Sequence, residues 1–184
     1  MKIGTIAVVA LLALAGCAGQ TKLESDLGIK GAPDWVNKGT AYVSNDSGRL
    51  FHGVGSAGQM GDASLQRSVA DDRARAELAK IFSAYMDVVA TDYQSAAKAG
   101  GASAADESVS RQIRALSQVN LAGAKVIARW IDPKQKVVWS IAEIDLKQVK
   151  DTAAVAAGMN GDLQRYVGAK AENVFDQVVK GGKR

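Results

Sequence analysis

The sequence predicts a small α+β domain in which one long helix packs on a small antiparallel sheet of three strands, with further helices at the carboxyl end. Three observations predict this fold class. After residue 62, apolar residues recur at spacings of three and four over a long segment, which is the period of one helix face. A short segment before this helix and two segments after it have the character of strands. The two later segments flank a loop of turn-forming residues, which is typical of a hairpin.

The first strand is predicted at residues 50–54, where apolar side chains occur on both faces. The long helix should start at a cap provided by Asp62 or Ser64 and continue to about Ala96. Residues 98–105 are rich in glycine, alanine and serine, so they are predicted to be a linker. The buried stripe of the long helix is expected to comprise Ala70, Ala74, Leu78, Ile81, Tyr85 and Val88.

The remaining elements are a second helix, a hairpin and two carboxy-terminal helices. Residues 106–119 support the second helix, and Asp132-Pro133-Lys134 supplies turn chemistry between strands at residues 121–131 and 137–144. Leu146 begins a further helix, and a last amphipathic helix follows it. In the first hairpin strand, the expected apolar face is Ala122, Ala124, Val126, Ala128 and Trp130, with Lys125 and Arg129 on the other face.

The amino terminus has the layout of a secretory signal. Lys2 places a positive charge near the start, and residues 3–15 are apolar or small and carry no charge. A membrane-spanning helix needs about 20 apolar residues, so this run is too short to be one. We therefore expect residues 1–16 to be a signal peptide that is removed; the alternative is an ordinary apolar helix.

The end of this leader, Leu14-Ala15-Gly16-Cys17, resembles a bacterial lipobox. Ala15 and Gly16 are small enough to leave room for a peptidase at the backbone, and Cys17 supplies a thiol for attachment of diacylglycerol. The resemblance implies that the signal peptidase recognises Leu14, Ala15 and Gly16 and cleaves before Cys17. Lipoproteins of this kind carry three acyl chains, such as palmitate, and two or more chains anchor a protein stably. Ala18, in place of an aspartate, then favours transfer to the outer membrane.

The composition fits one domain on an exported chain. Loss of 16 of the 184 residues leaves 168, which we divide into a flexible tether at residues 17–32, a domain at residues 33–150 and a helical extension at residues 151–184. The only cysteine is committed to the lipid, so no disulfide is expected. Loss of Lys2 lowers the formal net charge from +4 to +3, which argues against a nucleic-acid partner.

Residue patterns that support catalysis or cofactor binding are few. The only histidine, His52, lies in a predicted strand, so neither a catalytic triad nor a histidine-rich metal site is expected. Residues 53–58 satisfy the dinucleotide-binding pattern G-x-G-x-x-G, but three residues separate them from a helix, and no acidic residue ends a second parallel strand. We expect instead a glycine-rich turn that passes close beneath the long helix. The prediction is a protein that is not an enzyme, with no metal and no cofactor beyond the lipid on Cys17.

Paired acidic residues have simpler explanations than catalysis. Asp71-Asp72 and Asp106-Glu107 lie within or at the start of predicted helices, where acidic side chains are commonly solvated or favoured by the helix dipole. Glu143 and Asp145 project from the same side of the last strand. They could bind a cation, but an exposed strand face also explains them.

The hairpin is the candidate interaction surface, because Lys125, Arg129, Trp130 and Trp139 are predicted to lie on or near it. Aromatic and basic side chains together can bind glycan or another protein, and tryptophan and arginine are enriched at interface hot spots. Core packing and strand pairing are the alternative explanation for both tryptophans.

Four short segments follow one another in an order that is typical of one family. They are Pro33-Asp34-Trp35-Val36, then Gly53-Val54-Gly55-Ser56-Ala57, then Ala70 with Ala74-Arg75-Ala76-Glu77-Leu78, and last Trp130-Ile131-Asp132 with Val138-Trp139-Ser140. Together, over about residues 33–147, they resemble the Lpp-twenty-type bacterial outer-membrane lipoprotein family, which includes flagellar lipoproteins of the FlgP type. The resemblance implies a compact strand-helix-strand-strand module without catalytic residues. For the flagellar members it also implies assembly into rings or disks around the motor.

Two functions agree with these features. The first is a non-enzymatic structural or assembly component, lipid-anchored at the outer membrane and facing the periplasm, that binds itself or an envelope protein such as part of the flagellar basal body. The second is a regulatory lipoprotein that reaches towards peptidoglycan or its synthases, as the tether and the basic, aromatic hairpin suggest.

Overall fold

The computed structural model of the chain describes residues 27–41, 49–100 and 106–181, and it confirms the α+β class. One long helix packs on a small antiparallel sheet, and helices follow at the carboxyl end. The elements in chain order are α1 (Asp34–Lys38), a 3-10 turn (Gly39–Ala41), β1 (Leu50–Ala57), α2 (Ala63–Ala99), α3 (Asp106–Ala122), β2 (Lys125–Ile131), β3 (Val138–Asp145), α4 (Leu146–Val155) and α5 (Gly161–Gly181).

The three strands form one antiparallel sheet in the order β1-β3-β2, so β3 is central. Strands β2 and β3 are the predicted hairpin. In its loop, the Asp132 carboxylate accepts hydrogen bonds from the backbone N–H groups of Lys134 and Gln135, at 2.7 and 3.1 Å. The first strand of the hairpin is shorter than predicted, because α3 continues through Ala122 and β2 begins only at Lys125.

The alternation predicted for β2 is wrong, because a register shift interrupts the strand between Val126 and Ala128. Beyond the shift, Arg129 pairs with Ser140, whose hydroxyl contacts α2, so Arg129 also faces α2. Val126, before the shift, packs against the core on that same side. The residues of β2 on the face away from α2 are Lys125, Ala128 and Trp130.

Helix α2 is longer than the sheet that it covers. Its 37 residues extend about 55 Å, whereas the eight residues of β1 span about 26 Å. Of the two predicted caps, Asp62 is the one that forms, since its carboxylate accepts hydrogen bonds from the backbone N–H groups of Ser64 and Leu65, at 2.7 and 3.2 Å. The first half of α2 lies on β1 and β3, and the second half continues past the sheet to pack on α3 and α5.

One position of the predicted buried stripe on α2 is wrong. Val88 is 43% exposed, whereas the adjacent Val89 is buried. Residues seven apart, such as Phe82 and Val89, return to nearly the same helix face, and Val88 is rotated about 100° away from it. The stripe therefore continues through Val89 beyond the sheet.

Strand β1 approaches α2 without intervening side chains at two glycines. A Cβ atom added to Gly53 would lie 2.3 Å from the backbone nitrogen of Leu78, and one added to Gly55 would lie 2.3 Å from that of Ala74. The predicted close passage beneath the long helix is confirmed. The predicted turn is wrong, because β1 extends to Ala57 and both glycines are strand residues.

The carboxy-terminal helices share one core with the sheet. The ring of Phe51 in β1 packs against those of Phe82, Tyr85 and Phe175, with centroid distances of 4.9–5.3 Å. The Tyr85 hydroxyl donates a hydrogen bond to the carbonyl oxygen of Ala171 at 2.7 Å, and burial raises the pKa of Tyr85. The residues of α5 in this core are Leu163, Val167, Ala171, Val174 and Phe175.

Helix α1 fixes the start of the described chain. Val36 is fully buried, and the side chain of Asn37 exchanges two hydrogen bonds with the backbone of Ile29, at 2.9 and 3.1 Å. The 3-10 turn that follows contacts β1. Residues 27–41 thus make specific contacts with one another and with the sheet.

Candidate functional site

The lipobox residues Leu14, Ala15, Gly16 and Cys17 lie outside the described residues, as do residues 18–26 of the predicted tether. Lipid attachment at Cys17 therefore stays a prediction from the sequence. In the part of the chain that the structure describes, no helix combines the length and apolar character required to cross a bilayer.

Three of the four residues predicted for the interaction surface lie on one face of the sheet. Trp130 and Trp139 are cross-strand partners, and Lys125 pairs with Glu143, four residues further along β3. Side chains four apart in a strand share a face, so all of these residues lie on the face away from α2. Both tryptophans are partly exposed and Lys125 is exposed. We call Lys125, Trp130 and Trp139 the tryptophan face.

A polar row crosses the sheet at one end of the tryptophan face. It consists of His52 on β1, Glu143 on β3 and Lys125 on β2, which the strand register places side by side. His52 Nε2 lies 2.9 Å from Glu143 Oε2; the imidazole is buried and the carboxylate is partly exposed. His52 is thus a packed strand residue, as the sequence favoured.

Arg129 is the residue that the structure separates from the tryptophan face. Its Nε and Nη2 atoms donate hydrogen bonds to the two carboxylate oxygens of Asp71, at 2.7 and 2.6 Å, and the Ser140 hydroxyl donates to the same carboxylate at 2.7 Å. The hydrogen bonds from Arg129 hold the pKa of Asp71 below its ordinary value although burial acts in the opposite direction. The same pairing raises the pKa of Arg129. Arg129 therefore joins β2 to α2.

The expectation that Asp71 is a solvated helix residue is wrong. Asp71 is only 8% exposed, whereas its neighbour Asp72 is exposed. A buried carboxylate needs hydrogen-bonding partners, and these come from β2 and β3, far along the sequence. The sequence did contain a signal that Asp71 is buried. Asp71 lies three residues before Ala74 and seven before Leu78, and this spacing puts it on the buried stripe of α2.

The two acids considered for a cation site have separate roles. Glu143 contacts His52, and the Asp145 carboxylate caps α4 by accepting a hydrogen bond from the backbone N–H of Lys147 at 2.8 Å. Across residues 27–41, 49–100 and 106–181, no group of three or more His, Cys, Asp or Glu side chains is placed to hold a metal ion.

The glycine pattern at residues 53–58 does not form a phosphate cradle. The backbone of α2 occupies the space directly above Gly53 and Gly55. In a dinucleotide site the glycines face the pyrophosphate, and the third one opens the helix. Here Gly58 is exposed, and α2 begins only at Ala63. Close packing of a helix on a strand explains these glycines.

A groove between α3 and the α4–α5 connection is a feature that the sequence did not predict. Its volume is about 500 Å³, within the range of small-molecule sites. Val119 and Val155 at its rim are 59% and 81% exposed, although both are apolar. These two apolar residues, on the polar sides of amphipathic helices, were the sequence signal from which the groove could have been predicted. The lining consists of Arg111, Gln112, Ala115, Leu116 and Val119 of α3, and of residues 152 and 155–159.

No protein-family model matches the sequence, and comparison with curated proteins returns no significant match. The function is therefore inferred from the residues of this chain and their arrangement.

Proposed function

We propose that this chain is a non-enzymatic, lipid-anchored structural or assembly component of the bacterial outer membrane, with its folded part facing the periplasm. One observation carries the proposal: Leu14-Ala15-Gly16-Cys17 follows a charged start and an uncharged apolar run that is too short to span a bilayer. Acyl chains on Cys17 would hold the protein at a membrane surface. Its partner is then an envelope protein or a second copy. The flagellar basal body is the assembly that the family resemblance suggests.

The contacts of the folded part favour binding over catalysis. Several charged side chains near the sheet are engaged in contacts that join one element to another, so packing of the fold accounts for them. The tryptophan face remains partly exposed, and tryptophan is enriched at protein interfaces. The interelement contacts are Asp71 with Arg129 and Ser140, His52 with Glu143, and Arg49 with Glu172 and Asp176.

Lipid attachment is tested by mass spectrometry of the full-length gene product isolated from cells. We expect a chain that begins at Cys17 and carries diacylglycerol and an amide-linked acyl group. The substitution Cys17→Ser should abolish both cleavage and acylation, because serine offers no thiol to modify. An unmodified thiol on an uncleaved chain would contradict the proposal.

Sorting to the outer membrane is tested at the neighbouring residue. We expect Ala18→Asp to retain the lipoprotein in the inner membrane, whereas Ala18→Ser should leave it in the outer-membrane fraction after density-gradient separation. Equal distribution of both variants would contradict the sorting part of the proposal and leave acylation to be judged separately.

Assembly is tested on the extracted lipoprotein by native mass measurement. We expect an oligomer, or a complex with an envelope protein, that weakens when Lys125→Glu and Trp130→Ala are combined on the tryptophan face. Lys80→Glu, at an exposed position of α2, is the matched control and should leave the assembly unchanged. A strictly monomeric protein, together with normal motility of a deletion strain, would contradict both self-assembly and the flagellar role.

Cell-wall binding is the second candidate function, and the cation and paired tryptophans of the tryptophan face favour it. It predicts that purified peptidoglycan retains the lipoprotein and that Lys125→Glu reduces this retention, while Lys80→Glu does not. Arg129 is unsuitable for this test, because it pairs with Asp71 and its loss would disturb the fold.

A further inference from the structure

Strand β2 has an unpaired backbone edge within the part of the chain that the structure describes. The strand order β1-β3-β2 puts β2 at the margin of the sheet, and all seven of its residues are partly or fully exposed. Proteins commonly protect such an edge with a lysine, a proline or a β-bulge. Here Lys125 and the register shift after Val126 protect the first half of β2. Residues 128–131 contain none of these devices, and their one charge, on Arg129, is paired with Asp71.

The backbone groups that face outward on this half of β2 belong to Arg129 and Ile131. The N–H of Asp132 donates to the carbonyl oxygen of Val137 at 2.8 Å, so these two residues form a hydrogen-bonded pair. Hydrogen-bonded pairs alternate along antiparallel strands, so the next one joins Trp130 to β3. The N–H and C=O groups of the residues on either side of Trp130 therefore point away from β3. An added strand needs donors and acceptors of this kind.

From this open edge we propose that two copies of the chain pair through residues 128–131, antiparallel, about a two-fold axis at Trp130. Each Arg129 then exchanges backbone hydrogen bonds with Ile131 of the other copy. The two sheets continue as one, and the axis puts both tryptophan faces on the same side. Trp130 meets its counterpart between the two Trp139 rings, and aromatic pairs across strands are stabilising.

Other symmetric registers fit the strand less well. An axis at Arg129 would set two guanidinium groups directly opposite each other, and like charges so placed are destabilising. An axis at Ala128 would carry the pairing across the register shift beside it. An axis at Ile131 would bring Asp132, a buried residue that holds the hairpin loop, opposite Trp130. The axis at Trp130 confines the backbone hydrogen bonds to regular strand residues.

A second copy of the chain matches this edge. Its own residues 128–131 offer the same outward groups, so each copy supplies the strand that the other lacks. Tryptophan and isoleucine also favour extended structure. Lys125 lies five residues from the axis, so the two lysines are about 33 Å apart along the strands and are screened from each other. The pairing covers Ile131, which is 54% exposed.

The inference deepens the proposed assembly role and rests on it in one respect. Acyl chains on Cys17 would confine the copies to one membrane surface, where they meet more often than in solution. The backbone edge itself consists only of described residues. Acylation and pairing are therefore measured separately.

The register is tested by disulfide trapping in the lipoprotein isolated from cells. Trp130→Cys should give a disulfide-linked dimer on mild oxidation, because Cα atoms of a non-hydrogen-bonded pair are about 4.5 Å apart, within reach of a disulfide. Ala128→Cys and Trp139→Cys should not, since each would lie about 14 Å from its counterpart. Peptide mass spectrometry locates the disulfide and also gives the mass of the Cys17 peptide, so a failure of acylation is distinguished from a failure of pairing.

Two exposed isoleucines of β2 supply a matched pair of variants. Ile131→Lys should raise the dissociation constant of the dimer about tenfold, because each dimer would then hold two lysines opposite Arg129. Ile127→Lys lies outside the paired residues and should change the constant less than about twofold. Analytical ultracentrifugation of the extracted lipoprotein measures both constants, and circular dichroism should show that both variants remain folded.

Three results would overturn the proposal. Trapping at Trp139→Cys as readily as at Trp130→Cys would show that the tryptophan faces dock on each other instead. A lipoprotein that stays monomeric at every concentration, or equal effects of the two lysines, would show that the edge does not pair. If Ile131→Lys alone releases a different envelope protein, the edge binds that protein and the second-copy proposal is wrong.

Discussion

Asp71 shows how one side chain can join three elements. It lies on α2 and accepts hydrogen bonds from Arg129 on β2 and Ser140 on β3. Ser140 is fully buried and Asp71 nearly so, while the Arg129 side chain is 46% exposed. The arginine is thus still solvated, which limits the desolvation cost of the pair. The bonds fix where α2 crosses the hairpin.

We expect Asp71→Asn to lower the free energy of unfolding by about 1–3 kcal/mol, because the amide cannot accept the two charge-assisted hydrogen bonds from Arg129. Urea unfolding followed by circular dichroism measures this change. Asp72→Asn is the matched control at the next, exposed position, and its effect should stay within about 0.5 kcal/mol. Equal effects of the two substitutions would contradict the assigned role of Asp71.

The same carboxylate predicts a pH dependence. Its pKa in the folded chain is below the ordinary aspartate value of 3.8, with Arg129 as the main cause. Its stabilising contribution is therefore complete above about pH 3.8 and is lost as pH falls through the lower folded pKa. Stability should consequently fall less steeply below pH 3.8 in Asp71→Asn than in the natural chain. Glu172, whose pKa is also lowered by its hydrogen bond to Lys150, contributes equally to both proteins.

Among the elements, α2 and β1 make the closest contact. Gly53 and Gly55 allow the helix axis to approach the strand backbone, since any side chain there would enter the space of the α2 backbone. Gln66 strengthens this packing, because its Nε2 atom donates to the carbonyl oxygens of Ala57 and Lys136, at 3.1 and 2.7 Å. The length of α2 then carries the core beyond the sheet to α3 and α5.

We expect Gly53→Ala to lower the free energy of unfolding by more than about 2 kcal/mol, because the helix backbone would have to move away from β1. Gly58→Ala is the matched control, since a Cβ atom at Gly58 would meet nothing within 4 Å. Its effect should be within about 0.5 kcal/mol. Urea unfolding of both variants measures the difference, and similar values would show that the close contact does not constrain the fold.

Considered as a whole, the described chain has one main core that includes its carboxy-terminal helices. Residues of α2, α3, α4 and α5 pack in the same cluster as those of β1 and β3. The predicted extension begins at residue 151, which lies inside α4, and α5 supplies the ring of Phe175 that contacts Phe51. A shared core of this kind predicts cooperative unfolding of sheet and helices.

We expect Val167→Asp in α5 to lower the midpoint of urea unfolding equally for two signals. Tryptophan fluorescence reports on the sheet and α1, and circular dichroism reports mainly on the long helices. A charge in place of a fully packed valine should cost at least about 3 kcal/mol. Ala169→Asp, two residues further along on the exposed side of α5, is the matched control and should shift neither signal. A fluorescence transition that stays unchanged in Val167→Asp would show that α5 folds separately.

The sequence by itself determined the features that depend on local pattern. Helical periodicity predicted α2, capping residue types predicted a start at Asp62 or Ser64, turn residues predicted the hairpin, and the order of the elements predicted the α+β class. Each of these signals comes from residues that are close together along the chain, so no distant contact is needed to interpret it. The lipobox at residues 14–17 is also a local signal, and its chemistry stays a prediction.

Only the tertiary structure decided which distant residues meet. A one-residue irregularity in β2 placed Arg129 on the opposite face from Lys125 and towards Asp71, and a period-2 pattern cannot anticipate such a shift. The same holds for the glycines of β1, whose role depends on a helix that crosses them. The groove beside α3 exists because α4 ends and its connection to α5 turns back. Packing between elements far apart in sequence, rather than local propensity, therefore placed the surfaces on which a function can act.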